Sequence, residues 1–247
     1  MGNIYKALQQ VQGKKQGLKS AARRRASHRA MQSSSGRDVV IPEKPLLGLY
    51  HNIESLLKEC PKKVIQFIAS RDGEGTSTVV RDYGQMLADK LNKSVVIFDA
   101  DQVNPKQHTY FKINPVYGWD VLFDGDEIHD ECFYQVRDLT LYVCPVLPGS
   151  PVNRKILESS KVAAVWSKLK ERFDYILVDS PSEDVSTVGI AIAKTVDGVV
   201  LVLEAEKTRY PMAENTKNVI EKNGGKILGV VFNKRRQYIP DFIYNRL

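Results

Sequence analysis

Val64-Ile65-Gln66-Phe67-Ile68-Ala69-Ser70-Arg71-Asp72-Gly73-Glu74-Gly75-Thr76-Ser77-Thr78 decides the fold of this chain. Val64 to Ala69 is an apolar run of strand length, and it feeds a short glycine-bearing turn. From Ser77 the spacing of Tyr83, Met86, Leu87 and Leu91 predicts a helix. Strand, glycine turn and helix together are the setting of a phosphate-binding loop. There, glycines let backbone N–H groups converge on an anion at a helix N-terminus, where the aligned peptide dipoles also favour negative charge. Against the pattern G-x-x-x-x-G-K-[ST], Ser70 to Ser77 keep the last glycine and the metal-ligand hydroxyl. Thr76 stands where the phosphate-gripping lysine belongs.

Outward from this stretch, elements alternate. Leu46, Leu47, Tyr50, Ile53, Leu56 and Leu57 form one face of a helix that ends before Pro61. Ser94 to Asp101 reads as a second buried strand ending in the acids Asp99 and Asp101, and Pro105 prevents its simple continuation. A short buried helix is expected around Trp119 to Phe123 and a third strand over Leu139 to Cys144. Pro145, Pro148, Gly149 and Pro151 stiffen the loop that follows. Lys161 to Arg172 is a helix and Tyr175 to Asp179 a fourth strand with an acid at its end. Helix 186–195, strand 198–203, helix 210–223 and strand 226–232 follow, with Gly224-Gly225 as a helix stop. The alternation predicts an α/β fold: a doubly wound, mostly parallel sheet covered on both faces, of the P-loop NTPase type. Acids at the carboxyl ends of parallel strands stand where ligand and metal chemistry sits in such sheets.

Charge is unevenly placed. The 247 residues carry a net +7, yet residues 1–40 hold nine Lys and Arg against Asp38 alone, so the remainder is close to neutral. Ile4, Leu8 and Val11 have the spacing of a short docking helix, and residues 12–40 read as a cationic linker. The chain therefore divides into a helix and basic linker (1–42), an α/β domain (43–234) and a tyrosine-bearing tail (235–247). An anionic inner membrane surface is the expected partner of residues 1–40, at about 1 kcal/mol per basic residue near the surface. No base-reading module accompanies the charge, so no nucleic-acid partner is expected. Cys60, Cys132 and Cys144 lack metal or disulfide spacing. No apolar run approaches the roughly 18 residues of a membrane span, and no signal-peptide core is present. The expected location is cytoplasmic, peripheral to the inner face of the plasma membrane.

Three segments, taken together, resemble the Walker A, A′ and B motifs of the bacterial tyrosine kinases (BY-kinases) of capsule and exopolysaccharide synthesis. They are Gly73 to Thr78, Val95 to Asp101 with Pro105, and Phe173 to Pro181. The resemblance implies a nucleotide site, with ATP or ADP and Mg²⁺ as cofactors, built from Arg71, Asp72, Gly73, Glu74, Gly75, Thr76, Ser77 and Thr78. It implies metal ligation by Ser77, Asp101 and Asp179, and catalytic carboxylates at Asp99 and Asp101. Tyr238 and Tyr244 become candidate phosphoacceptors. A membrane-embedded polysaccharide chain-length regulator and a homo-oligomer are the implied protein partners.

The chain also departs from the family. Thr76 replaces the lysine, Val103 replaces an arginine after the second A′ acid, and Leu46 to Leu57 lacks the glutamate-arginine oligomerisation pattern. Phosphoryl transfer depends on positioning and on neutralising charge, so a lost cation attacks the mechanism itself. The expectation is a BY-kinase-like subunit with weak or no activity, acting through its membrane partner. An active ATP-dependent tyrosine autokinase and a placement-type ATPase stay open beside it. Arg71 stands where deviant Walker ATPases carry a signature lysine, which makes it the candidate replacement charge.

Overall fold

The structure is a computed structural model that describes residues 41, 43–123, 128–147, 160–184 and 186–235. The basic segment 1–40, the turn around Pro148 and Pro151, and the tail with Tyr238 and Tyr244 lie outside the described residues. Helix α1 (Glu43–Leu56) leads into β1 (Lys63–Ala69), α2 (Thr76–Leu91), β2 (Val95–Asp99) and the one-turn α3 (Gln107–Tyr110). Strands β3 (Tyr134–Gln135) and β4 (Leu141–Cys144) follow, then α4 (Ser160–Arg172), β5 (Tyr175–Asp179) and α5 (Val188–Ala193). The described chain closes with β6 (Gly198–Glu204), α6 (Tyr210–Lys222) and β7 (Ile227–Asn233).

The seven strands lie in the order β3-β4-β2-β5-β1-β6-β7. All neighbours are parallel except β3 with β4. The antiparallel edge strand β3 is an addition to the expected alternation; at two residues it is too short to leave a periodic signal. Strand β4 starts later than Leu139 because the preceding residues form a turn, with Arg137 at φ 51°.

Side chains alternate between the two faces of the sheet. Val64, Val96, Phe98, Ile176 and Val178 pack with α4 and the 3₁₀ turn Trp119–Phe123. Ile65, Phe67, Val95, Ile97, Tyr175 and Leu177 pack with α1 and α2 on the other side. Burial on both faces is why the strands read as unbroken apolar runs rather than alternating ones. Phe98 sits edge-on to Trp119 and Trp166, at centroid distances of 6.2 and 5.3 Å. Trp119 Nε1 donates to the carbonyl of Asp99 at 2.9 Å, so this aromatic cluster is tied to the end of the strand that carries the acids.

Helix ends follow the local chemistry. Asn92 takes a left-handed φ of 50° and returns its N–H to Leu87, which closes α2. Gly224, at φ +85°, and Gly225 close α6 by donating to Glu221 and Ile220.

At the amino end of the sheet, Lys63 is buried and pairs with Glu54 of α1 at 2.9 Å, while the Tyr175 hydroxyl also donates to Glu54. Burial raises the Glu54 carboxyl, but the Tyr175 and Lys63 contacts outweigh it and leave the group below its usual value. A depressed carboxylate stabilises the fold above its unfolded value, near 4.5, and the contribution is lost as pH falls through the folded one. Glu54→Gln is therefore expected to cost about 1–2 kcal/mol at pH 7 by leaving Lys63 short of a partner. In thermal unfolding the gap between parent and variant should be full at pH 7 and narrow steadily as pH is lowered below 4.5; a gap that does not change with pH would count against the assignment.

Candidate nucleotide-binding site

The turn between β1 and α2 has the backbone its glycines permit. Gly73 has φ +83° and Gly75 φ +92°, values that favour glycine. A Cβ on Gly75 would collide with the Asn233 side-chain amide. Gly75 caps α2 without any side-chain hydrogen bond, so the N–H groups at the very start of that helix face an anion's place, while Thr78 N–H donates to the Gly75 carbonyl at 3.1 Å. The loop opens on a cleft of about 260 Å³ lined by Arg71, Asp72, Gly73, Gly75 and Thr76 to Thr78, with Asp101 opposite.

Glu74 alone of Arg71 to Thr78 does not line this cleft. Its buried carboxylate accepts the N–H groups of Ser70 at 2.9 Å and Arg71 at 3.1 Å, and the hydroxyl of Thr208. Its side chain shapes the loop, and only its backbone remains for the expected part in a phosphate cradle. From β7, Asn233 Nδ2 donates to the carbonyl of Glu74 at 2.9 Å, and Lys234 Nζ donates to that of Gly73.

The three acids occupy three environments. Asp99 is fully buried; Oδ2 accepts the N–H groups of Lys106 and Gln107 at 3.0 and 2.9 Å, and Oδ1 that of Asp101. Burial, and next the charge on Asp179, hold its carboxyl well above the usual carboxylate range. Asp99 thus anchors the turn after β2, and neither it nor Asp179 lines the cleft. Asp101 does line the cleft, and its Oδ1 caps the N–H groups of Val103 and Asn104 at 3.0 Å. Asp179 lies opposite Asp99 in the β2–β5 register. Burial pushes its carboxyl up to about 6, against the lowering pull of the Gln107 amide and the Ser77 hydroxyl.

Cations reach the cleft from separate parts of the chain. Arg71 lines it from an exposed position in the loop, joined by Arg81, Lys106 and Lys234. Arg81 donates to Thr78 Oγ1 at 3.1 Å and stacks over the Tyr110 ring at 3.9 Å. Sequence reading missed Arg81, Lys106, Gln107 and Lys234. The available signals were Lys106 directly after the A′ proline and Lys234 directly after the last strand.

The residues fit a magnesium nucleotide. Asp179 Oδ1 is buried without a hydrogen-bond partner among the described residues, and Ser77 lines the cleft next to it. No group of three or more His, Cys, Asp or Glu with metal-holding geometry occurs among the described residues. A divalent ion here would thus draw on the Ser77 hydroxyl, water on Asp179 and phosphate oxygens rather than on an all-protein cage.

Fold and loop are those of the P-loop NTPase-like α/β proteins. No protein-family model matches the chain. It is 27% identical over 192 residues to the tyrosine-protein kinase CpsD of Streptococcus agalactiae, covering 77% of this chain and 82% of that one. The kinase domain of the Escherichia coli tyrosine kinase Etk superposes with a TM-score of 0.69 at 14% identity, over 85% of this chain and 88% of the other. The septum site-determining protein MinD of Pyrococcus horikoshii, complexed with Mg-ADP, superposes at 0.57 with 18% identity, over 75% and 76%. The chain is a relative of the bacterial tyrosine kinases, the BY-kinases.

A carboxyl raised by burial destabilises the fold in its ionised form. The stability it contributes is complete below the unfolded value, 3.8, and is lost as pH rises through about 6. Asp179→Asn is neutral throughout, so the nucleotide-free variant should exceed the parent at pH 8 by on the order of 1–3 kcal/mol. Near pH 4 the advantage should vanish. Thermal unfolding without magnesium checks this, and a constant offset across pH would contradict it.

Proposed function

We propose that this chain is a cytoplasmic, nucleotide-binding BY-kinase-like subunit of an exopolysaccharide or capsule assembly system. It acts by binding a membrane-embedded chain-length regulator, with phosphoryl transfer weak or lost. Thr76 carries this reading: it begins α2, is almost buried and lines the cleft at the place where the motif puts its lysine. Losing one preorganised charge contact to a reacting phosphate costs on the order of 10²–10³ in rate. The basic segment 1–40 would hold the protein against anionic lipid, and a homo-oligomer would present the sites together.

Each residue has a place in the bound state. First-turn N–H groups of α2 would hold phosphate, and Ser77 and Asp179 would hold magnesium, whose charge offsets that of the phosphates. Asp101, which lines the cleft, would be the acid nearest the transferred group, and Asp99 would position the turn that carries it. Nucleotide then serves as a conformational signal read by the partner.

A rival reading, an active tyrosine autokinase with Tyr238 and Tyr244 as acceptors, draws on the cations Arg71, Arg81, Lys106 and Lys234 around the cleft. Calorimetry of Mg-ATP binding to the parent and Thr76→Lys separates the two. Weak binding in the parent and a gain of roughly 10- to 100-fold in the variant is the expected outcome. A parent that binds at micromolar affinity and labels its own tyrosines would establish the rival instead. In that case Arg71→Ala should abolish ATP affinity if Arg71 replaces the lysine.

A further inference from the structure

Gln107, the first residue of α3, touches all three motif segments at once. Its backbone N–H donates to Asp99 Oδ2 at 2.9 Å. Its side-chain Nε2 donates to the Ser77 carbonyl at 3.1 Å and to Asp179 Oδ2 at 2.7 Å. The residue is fully buried, and its Oε1 has no hydrogen-bond partner among the described residues. The amide orientation is set by its neighbours, because a flipped group would press its oxygen against a carboxylate and a carbonyl. Both amide hydrogens are committed while the oxygen is orphaned, which is a poor arrangement for stability alone. A leucine would fill the same space and strand no polar atom of its own.

We propose that Gln107 is a positioning residue for the magnesium end of this site. It takes Oδ2 of Asp179 for the protein and leaves the buried, unpartnered Oδ1 as the oxygen offered to metal-bound water. Through the Ser77 carbonyl it also holds the start of α2 at a fixed distance from the end of β5. In a loop without the lysine, this neutral donor links the phosphate loop to the acid. The inference rests on the nucleotide-site reading above. It goes beyond that reading by naming a residue outside the loop and the acids that sets their spacing.

The experiment uses the full chain with Gln107→Leu and the near-isosteric Gln107→Met, which is neutral, keeps the side-chain length and loses both donors. ADP binding is measured by calorimetry with and without Mg²⁺. Both variants should keep the magnesium-free affinity and lose about 10- to 100-fold of the magnesium-dependent gain, the usual effect of removing a group that orients a metal-side carboxylate. Loss of both affinities in parallel, or of neither, would overturn the proposal. Hydrogen exchange on metal- and nucleotide-free protein supplies an arm that does not depend on binding. Exchange that quickens most at residues 75–79 and 105–110, beyond the uniform increase that a lowered unfolding temperature brings to the rest of the chain, is expected, and unchanged exchange there would also overturn it. A parent that ignores magnesium but shows this local loosening in the variants would refute the functional reading and leave the Gln107 linkage standing.

Discussion

Glu74 accepts the N–H groups of Ser70 and Arg71 with one carboxylate oxygen and the Thr208 hydroxyl with the other, and this buried charge fixes the path of the phosphate loop. Hydrogen bonds to a charged group contribute about 1.5–3 kcal/mol each. Asn233 and Lys234 add donors from the end of β7 to the loop carbonyls of Glu74, Gly75 and Gly73. None of these contacts involves a ligand or the residue at position 76. The curvature of the cradle is a property of the folded chain itself, which is why a threonine can stand where the motif has lysine without the loop losing its shape.

The same constraint explains what could be read from sequence. Strands β1, β2, β5 and β6 were visible because a parallel sheet buried on both faces leaves unbroken apolar runs, and the glycines at 73 and 75 marked a turn with positive φ. The phosphate loop and the acids at strand ends followed from that order. Other parts were hidden because their meaning is tertiary. An acid between two glycines reads as solvent-facing loop, and only the approach of Thr208 and the chain at Glu204 makes it a buried anchor. Lys234 joins the cleft because β7 pairs with β6, a contact with no local signal. Gln107 lies in a four-residue helix, too short for periodicity to show which way it faces.

Three aspartates that look alike in the motif pattern do different work because their surroundings differ. Asp99 and Asp179 end neighbouring strands and lie opposite each other, both buried. Two like charges so placed cannot be fully ionised without compensation. Backbone donors from the turn after β2 compensate Asp99 and tie it to that turn. A side-chain amide and the Ser77 hydroxyl compensate Asp179, and one of its oxygens stays unpaired. Asp101, two residues beyond Asp99, has left the sheet and reaches the cleft. Position along the strand end separates Asp101 from the other two, and hydrogen-bond partners separate Asp179 from Asp99.

The remaining question about charge is one of place rather than number. Arg71, Lys106 and Lys234 are exposed at the mouth of the cleft, and Lys234 is shared with Glu204 at 3.3 Å. Near solvent, a unit pair 4 Å apart is worth about 1 kcal/mol at the dielectric of water, rising to about 4 kcal/mol where the effective value is 20. Position 76 is almost buried at the amino end of α2, so a lysine stem starting there would leave the loop floor and reach the phosphates where water is sparse. Cations at the mouth raise the local concentration of a polyanion and help hold it. They are poorly placed to stabilise charge that develops only during transfer, since a solvated side chain must reorganise to follow it. On the proposed reading, this distribution of charge suits retention of nucleotide better than its turnover.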